Sequence, residues 1–412
     1  MKSSYKKLGN YIQIVNDRDA DKTVDRLLGV SIRKVLMPSI ANIIGTDMST
    51  YKIIQRNQFA YGPVTSRNGD KISVALLEEY DKAIVSQAYT VFEVIDKNEL
   101  LPEYLMMWFR RPEFDRYARF KSHGSAREIF DWAEMCDTEL PIPSIEKQLE
   151  IVREYNVIQN RITLNNQLIS KLEETAQAIY KQWFLDFEFP DENGLPYMSN
   201  GGEMVWCEEL EKEIPVGWEV KSVKDFSSEM KSGSTPSRDE NEYWNSTDYP
   251  WLKTGELKNS VVIDAEEYIS QKGLNESSAK LLPVNSVLIA MYGEGKTKGQ
   301  VGYLKIEAAT NQACCAIICE NEIKATFLYY HLRINRDEIV SIAIGGAQPN
   351  LSKNIIEELR LIEPTKVIME KHPFVEIMKL KESYTFEIKS LMDLQNIVLA
   401  KMTKVETEII IN

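Results

Sequence analysis

Asp248 and the triplet Glu256-Leu-Lys258 have the residue types of a metal-dependent nuclease, which gathers carboxylates and a lysine around one cation. Acid-x-Lys triplets are frequent in a chain that is 27% charged, and the first half has no counterpart, so the types alone do not make a centre. Gly293-Glu-Gly-Lys-Thr297 has the flavour of a phosphate loop. The Walker spacing, however, requires a glycine where Ala290 stands, and the segment reads better as a hairpin turn. A DNA amino-methyltransferase needs a glycine-rich S-adenosylmethionine loop and an Asn/Asp-Pro-Pro-aromatic tetrad, and neither string occurs. The cysteines (Cys136, Cys207, Cys314, Cys315 and Cys319) form no spaced pairs. Those in the apolar run 313–319 read as small buried residues of a reduced, cytoplasmic protein. His123, His331 and His372 are far apart in sequence and form no zinc motif, so no metal is expected.

Side chains suited to nucleic acid are more coherent. Between Trp108 and Arg127, the cations Arg110, Arg111, Arg116, Arg119, Lys121 and Arg127 interleave with Phe109, Phe114, Tyr117 and Phe120. Arginine and lysine neutralise phosphates, and arginine also reads guanine edges. A helix with solvated cations over buried aromatics explains the same pattern. The candidate DNA-contacting set in the first half is Arg33, Lys34, Arg67, Lys71, Lys121, Ser125 and Arg127. In the second half it is Lys253, Thr254, Lys296, Thr297, Lys298, Gln348 and Asn350. Glutamine and asparagine can pair with adenine in the major groove. Gln87 and Gln312 are read instead as partners of buried backbone groups.

The net charge of −13 argues against strong nonspecific DNA binding, but its distribution is uneven. Residues 1–143 carry 20 basic and 20 acidic side chains, residues 144–217 carry 6 and 14, residues 218–365 carry 16 and 21, and residues 366–412 carry 7 and 7. The acidity sits in the connecting middle, so phosphate contacts must come from short basic loops or from a partner. No run of eighteen apolar residues occurs, and residues 1–7 are polar and basic with no apolar stretch after them. Neither a membrane span nor a cleaved signal peptide is expected.

An internal repeat organises these residues. Gly124-Ser-Ala-Arg127 matches Gly345-Gly-Ala-Gln348 at an offset of 221, which also brings Leu140 onto Leu361 and Pro143 onto Pro364. Ser86-Gln-Ala-Tyr-Thr-Val91 matches Asn311-Gln-Ala-Cys-Cys-Ala316 at 225. After each proline comes an apolar stripe spaced alternately by three and four, the coiled-coil signature. The first runs Ile151, Tyr155, Ile158, Ile162, Asn165, Ile169, Leu172, Ala176, Ile179, Trp183. The second runs Ile377, Lys381, Tyr384, Ile388, Leu391, Gln395, Val398, Met402, Val405, Ile409, in a helix expected to begin at Pro373. Neither helix buries its stripe alone, so an antiparallel pair is expected. Two readings stand for Asn165, Lys381 and Gln395: they fix register, or they mark where the seam drifts to the surface.

The expected class is therefore α+β, with two mixed α/β domains separated by two long helices packed as an antiparallel coiled coil. The domains span 1–143 and 218–365, the helices 144–185 and 366–412, and a turn-rich linker outside any core spans 186–217. Strands are expected over 83–94, 284–292 and 300–306, and short helices over 102–109 and 325–332.

Several strings resemble those of type I restriction–modification specificity subunits. They are Leu140-Pro-Ile-Pro-Ser-Ile-Glu-Lys-Gln-Leu149, Ile179-Tyr-Lys-Gln-Trp-Phe-Leu-Asp-Phe-Glu-Phe-Pro190, Gly194-Leu-Pro-Tyr197, Ile214-Pro-Val-Gly-Trp-Glu-Val220, Pro250-Trp-Leu-Lys-Thr-Gly-Glu-Leu257 and Gly299-Gln-Val-Gly302. The resemblance covers nearly the whole chain. It implies that the two mixed α/β domains are target-recognition domains of a noncatalytic subunit that reads a bipartite double-stranded DNA site. The poor match between the halves within those domains points to an asymmetric one. It also implies two methylation subunits and restriction subunits as partners, with S-adenosylmethionine, ATP and magnesium bound by those partners and no cofactor on this chain. A specificity partner of a fused restriction–methylation enzyme and a metal-dependent nuclease remain the alternatives. The second helix entry, Leu361-Ile-Glu-Pro-Thr-Lys366, departs from the family pattern by lacking the Glu-x-Gln of the first.

Overall fold

The computed structural model describes residues 5–20, 23–39, 47–65, 71–123, 128–293, 297–344 and 350–403. It resolves into two compact units, one of residues 1–162 with 390–412, the other of residues 163–389. Both boundaries fall inside the long helices, Ile145–Tyr180 and Phe374–Lys401, because half of each apolar stripe is buried in each unit. The second helix begins one residue after Pro373, and seam positions Val405 and Ile409 lie outside the described residues.

The first unit holds a four-stranded sheet in the order Ile12–Val15, Thr90–Val94, Gln58–Gly62, Ser73–Leu76. The second holds Glu229–Ser232, Cys314–Ile318, Val287–Ala290 and Val301–Leu304 in the same order, with Ser260–Val262 added at the edge. Each unit also has a smaller sheet, and its strands match too. Leu27–Val30 pairs antiparallel with Leu36–Pro38 and parallel with Lys82–Val85. Tyr249–Leu252 pairs antiparallel with Glu267–Ile269 and parallel with Ala309–Thr310. In the first unit Lys52–Gln55 extends the small sheet beyond Lys82–Val85. Each unit's strands are closed by a short antiparallel pair, Tyr5–Lys7 with Glu139–Pro141 and Glu219–Ser222 with Arg360–Glu363. These pairs put Leu140 and Leu361, already matched by offset, at equivalent buried positions.

A helix covers each main sheet. Pro102–Arg110 starts on a proline suited to a first turn and buries Phe109 edge-on against the stacked pair Phe59–Phe92, whose centroids are 4.7 Å apart. Glu322–Ile334 is capped by the Asn321 side chain and buries Phe327, Tyr329 and Tyr330.

Two expectations need correction. Residues 83–94 are not one strand. They form Lys82–Val85 and Thr90–Val94 in different sheets, split by a turn in which Tyr89 N–H donates to the Ser86 carbonyl at 3.0 Å. The segment 186–217 is not outside the core either. It buries Phe187, Phe189 and Ile214 in the second unit's core, and Phe189 stacks on Trp218 at 5.0 Å. Its aromatic residues outweigh its turn residues.

The two long helices run antiparallel within each unit. In the first, Glu154 lies 3.5 Å from Lys401, and Gln395 Nε2 donates to Gln159 Oε1 at 2.9 Å. In the second, Lys381 Nζ meets Glu173 at 2.5 Å, and the rings of Tyr180 and Phe374 stack at 6.2 Å. Each step forward on one helix is matched by a step back on the other. Ile158, Val398 and Met402 are buried in the first unit, with Ile162 and Leu391 packed against them. Leu172 and Ile179 pack on the second unit's core, while Ile169 and Ile388 are half-buried. Asn165 is fully buried, so it does not mark a drift of the seam to the surface.

Candidate nucleic-acid interface

In the second unit, five segments meet at one end of the two sheets. The turn 311–314 is joined to the loop after Tyr249–Leu252 by Asn311 N–H to the Leu252 carbonyl at 3.0 Å. Met291 N–H donates to the Ala313 carbonyl and Gly299 N–H to the Ala290 carbonyl, which places residues 291–293 and 297–300 beside that turn, and Leu351 N–H donates to the Met291 carbonyl, which adds residues 350–351. The fifth segment, 233–235, joins through Ser234 N–H to the Thr310 carbonyl and through the Thr235 hydroxyl, 2.6 Å from Gln312 Oε1. Thus Lys253, Thr254, Thr297, Lys298 and Asn350 share one end of the fold. Lys296 and Gln348 lie outside the described residues.

The first unit builds the same end. The turn 86–89 follows Lys82–Val85, and the Tyr89 hydroxyl accepts from Val30 N–H at the end of the neighbouring strand. Phe130 N–H donates to the Pro63 carbonyl and Thr65 N–H to the Glu128 carbonyl, which brings residues 63–65 and 128–130 together. Arg33 and Lys71 are exposed here, whereas Arg67, Ser125 and Arg127 lie outside the described residues.

Two lysines differ from expectation. Lys34 is 4% exposed, with Nζ 2.7 Å from Asp115 and donating to the Phe109 carbonyl. Burial pushes its ammonium below the ordinary value, opposed by the Asp115 carboxylate. Its charge is satisfied inside the unit, so it is not a DNA contact. Lys253 Nζ is 2.8 Å from Glu267 and 3.4 Å from Glu266, which raise its proton affinity and hold its charge at the surface. Lys121 lies 3.5 Å from Glu134. Across 108–127 the aromatics are largely core: Phe109 and Phe114 are buried, Arg111 packs on the Trp108 ring at 4.3 Å, and Arg119 pairs with Glu128. The solvated-helix reading thus describes most of that stretch, with Phe120 standing out as exposed.

The nuclease alternative loses its centre. Glu256 accepts the backbone N–H of Lys253 and of Glu266, each at 2.8 Å, and Asp248 accepts that of Gln271 at 3.1 Å. Both carboxylates cap local backbone, and among the described residues no three His, Cys, Asp or Glu side chains gather as a metal site. Cys314 and Cys315 are buried on a central strand, and burial pushes the Cys315 thiol up to about 12. No helix among the described residues is long and apolar enough to cross a membrane.

Gln87 and Gln312 are exposed, so they do not serve buried backbone. The sequence reading also missed the brace that fixes segment 233–238. Arg238 lies 3.5 Å over the Trp244 ring and 4.9 Å from that of Trp251, with its guanidinium 2.5 Å from Glu267. The indole N–H groups of Trp244 and Trp251 donate to the Ser237 and Ser234 carbonyls, both at 2.9 Å. Cation–aromatic contacts of this kind depend on strand pairing and leave no local sequence signature.

The sequence signature of the family described as Type I restriction modification DNA specificity domain matches residues 45–174 and 215–391. The chain is 28% identical over 280 residues to the Type I restriction enzyme MjaIX specificity subunit of Methanocaldococcus jannaschii, covering 68% of this chain and 62%, under two thirds, of that protein. It is 24% identical over 423 residues to the Type I restriction enzyme HindI specificity subunit of Haemophilus influenzae, covering 90% of each. Its fold is similar to the crystal structure of the Type-I restriction-modification system S subunit from M. genitalium, with a TM-score of 0.55, 14% identity, and coverage of 97% of this chain and 95% of that one.

Proposed function

Because the chain belongs to the type I restriction modification DNA specificity family, we propose that it is the noncatalytic subunit that reads DNA sequence for a restriction–modification complex. Each unit reads one half of a bipartite site through the loops at the end of its sheets. The observation that carries this reading is the repeated strand order beneath unlike loops. Arg33 and Lys71 stand exposed at the sheet ends of the first unit, while Thr254, Thr297 and Asn350 occupy those of the second. One scaffold presenting two different sets of donors and acceptors suits two unlike half-sites, so the target is asymmetric.

The methylation subunits bind along the paired long helices and carry the S-adenosylmethionine chemistry. Restriction subunits join that assembly with ATP and magnesium. The chain's own acidity fits this dependence, since a subunit of net charge −13 gains from partners that add phosphate contacts to those of its own loops.

Methylome sequencing of DNA modified by the methylation subunits with and without this chain tests the proposal. The expected result is a split, asymmetric motif that appears only with the chain present. A motif that is the same without the chain, or no motif in the assembled complex, sinks the reading.

A further inference from the structure

We infer that Gln87 and Gln312 are DNA-backbone contacts, each donating its side-chain amide to a phosphodiester oxygen in the half-site its own unit reads. The inference rests on the DNA-reading role proposed above.

The two glutamines occupy the tip of the same turn. In the first unit Ala88 N–H points at Ser86 Oγ at 3.4 Å and Tyr89 N–H at the Ser86 carbonyl at 3.0 Å. In the second, Ala313 N–H points at Asn311 Oδ1 at 3.2 Å and Cys314 N–H at the Asn311 carbonyl at 3.1 Å. Each turn leads into the strand between the edge strand and Gln58–Gly62 or Val287–Ala290, at the loop-bearing end of the sheet. The surrounding loops carry unlike side chains in the two units, yet this exposed glutamine recurs. A feature common to two readers of unlike sequences suits what the sequences share, and any two duplexes share the phosphate backbone.

The amide's orientation agrees. Thr235 donates to Gln312 Oε1 at 2.6 Å, which engages the amide's acceptor and leaves its Nε2 donors for a ligand. Reading adenine takes a donor and an acceptor together, whereas a phosphate oxygen needs only a donor. Each turn also has a cation beside it. Lys52 Nζ donates to the Tyr89 carbonyl at 2.7 Å, and Lys253 follows Leu252, whose carbonyl holds the second turn.

The test uses the full chain assembled with its methylation subunits, and measures binding to the cognate duplex and to duplexes with single base-pair changes in each half. Gln312→Ala should weaken binding to all duplexes by one common factor, about three- to tenfold, and leave the ranking of base changes intact. Gln87→Ala should do the same. Gln312→Glu should weaken binding further, since a carboxylate then faces a phosphate. Both glutamines are exposed, so the thermal melts of the variants should match the parent. A changed base preference in either half, or unchanged affinity in both alanine variants, overturns the inference. If the parent complex fails to discriminate cognate from altered duplexes, the DNA-reading role itself fails and takes the inference with it.

Discussion

Gln148 is fully buried and makes three hydrogen bonds. Its Oε1 accepts from Leu101 N–H at 2.9 Å, and its Nε2 donates to the carbonyls of Glu99 and Pro143 at 2.8 and 2.9 Å. It ties the start of the first long helix to the loop before Pro102–Arg110. The second helix entry lacks this residue, and there a cleft of about 520 Å³ opens among Glu320, Lys324, Glu363, Thr365, Met369 and Glu370. Gln148→Ala should destabilise the first unit by about 2–4 kcal/mol, because it orphans buried backbone groups; urea denaturation measures this. An unchanged midpoint would show that water replaces the amide. His331 and His372 supply a pH dependence. Burial pushes both down to about 4, and the Tyr180 hydroxyl bonds the His331 ring at 2.8 Å. Histidines depressed on folding give stability that is complete above the unfolded value near 6.5 and is lost as pH falls toward 4. Each is worth about 3 kcal/mol over that window. Melting of the second unit should therefore weaken steeply from pH 6.5 to 4, and His331→Gln should flatten the slope. A slope unchanged in that variant would count against the assignment. At this scale, sequence reading was weakest where partners come from far away. Lys34 looks like a surface cation beside Arg33 and is buried only because Asp115 comes to it.

The long helices were the most legible elements. Spacing by three and four is a local property, and every described position of the two stripes is buried or half-buried. The polar positions needed the structure. Gln395 meets Gln159 in one unit, and Lys381 meets Glu173 in the other, where Arg333 also pairs with Glu173. Asn165 has neither amide atom hydrogen-bonded among the described residues. These differences give opposite expectations. Asn165→Leu should stabilise by about 1–2 kcal/mol, since an unsatisfied buried amide is removed. Lys381→Met should destabilise by about 3 kcal/mol, since it strips a buried carboxylate of one partner. Chemical denaturation of both variants checks the contrast, and equal shifts in one direction would refute it. Strands were read less well. The run 83–94 is rich in apolar and β-prone residues on both sides of Ser86-Gln87, and its turn is set by Ser86 and by strand pairing, not by glycine or proline. The segment 186–217 misled for the converse reason, as its turn residues masked the buried Phe187 and Phe189.

For the whole molecule, the repeat predicted two like folds, and matching strand orders came from only a few matched strings because closing pairs and helix entries are shared scaffold. The candidate DNA-contacting loops were the least legible, since loops that differ between units carry no repeat. Both helices pass from one compact unit to the other, after Ile162 and before Ser390. Inserting four residues in each at those points lengthens the helical path by about 6 Å. The spacer of the recognised site should then grow by about two base steps at 3.4 Å each, with both halves unchanged, as methylome sequencing would reveal. Unaltered spacing would refute the idea that the helices set it.

The first unit's dependence on residues 390–403 also bears on how the protein is made. Val398, Leu399 and Met402 complete a core that includes Ile151, Tyr155 and Ile158, yet the ribosome supplies them only after the whole of the second unit. Domains generally fold as units during synthesis, N-terminal first, but here the first unit keeps an open apolar face until residues 390–403 have been made. A released chain truncated after Lys389 should resist protease through residues 163–389 and be cut within 145–162. Supplying the 390–403 peptide in trans should restore protection to that helix.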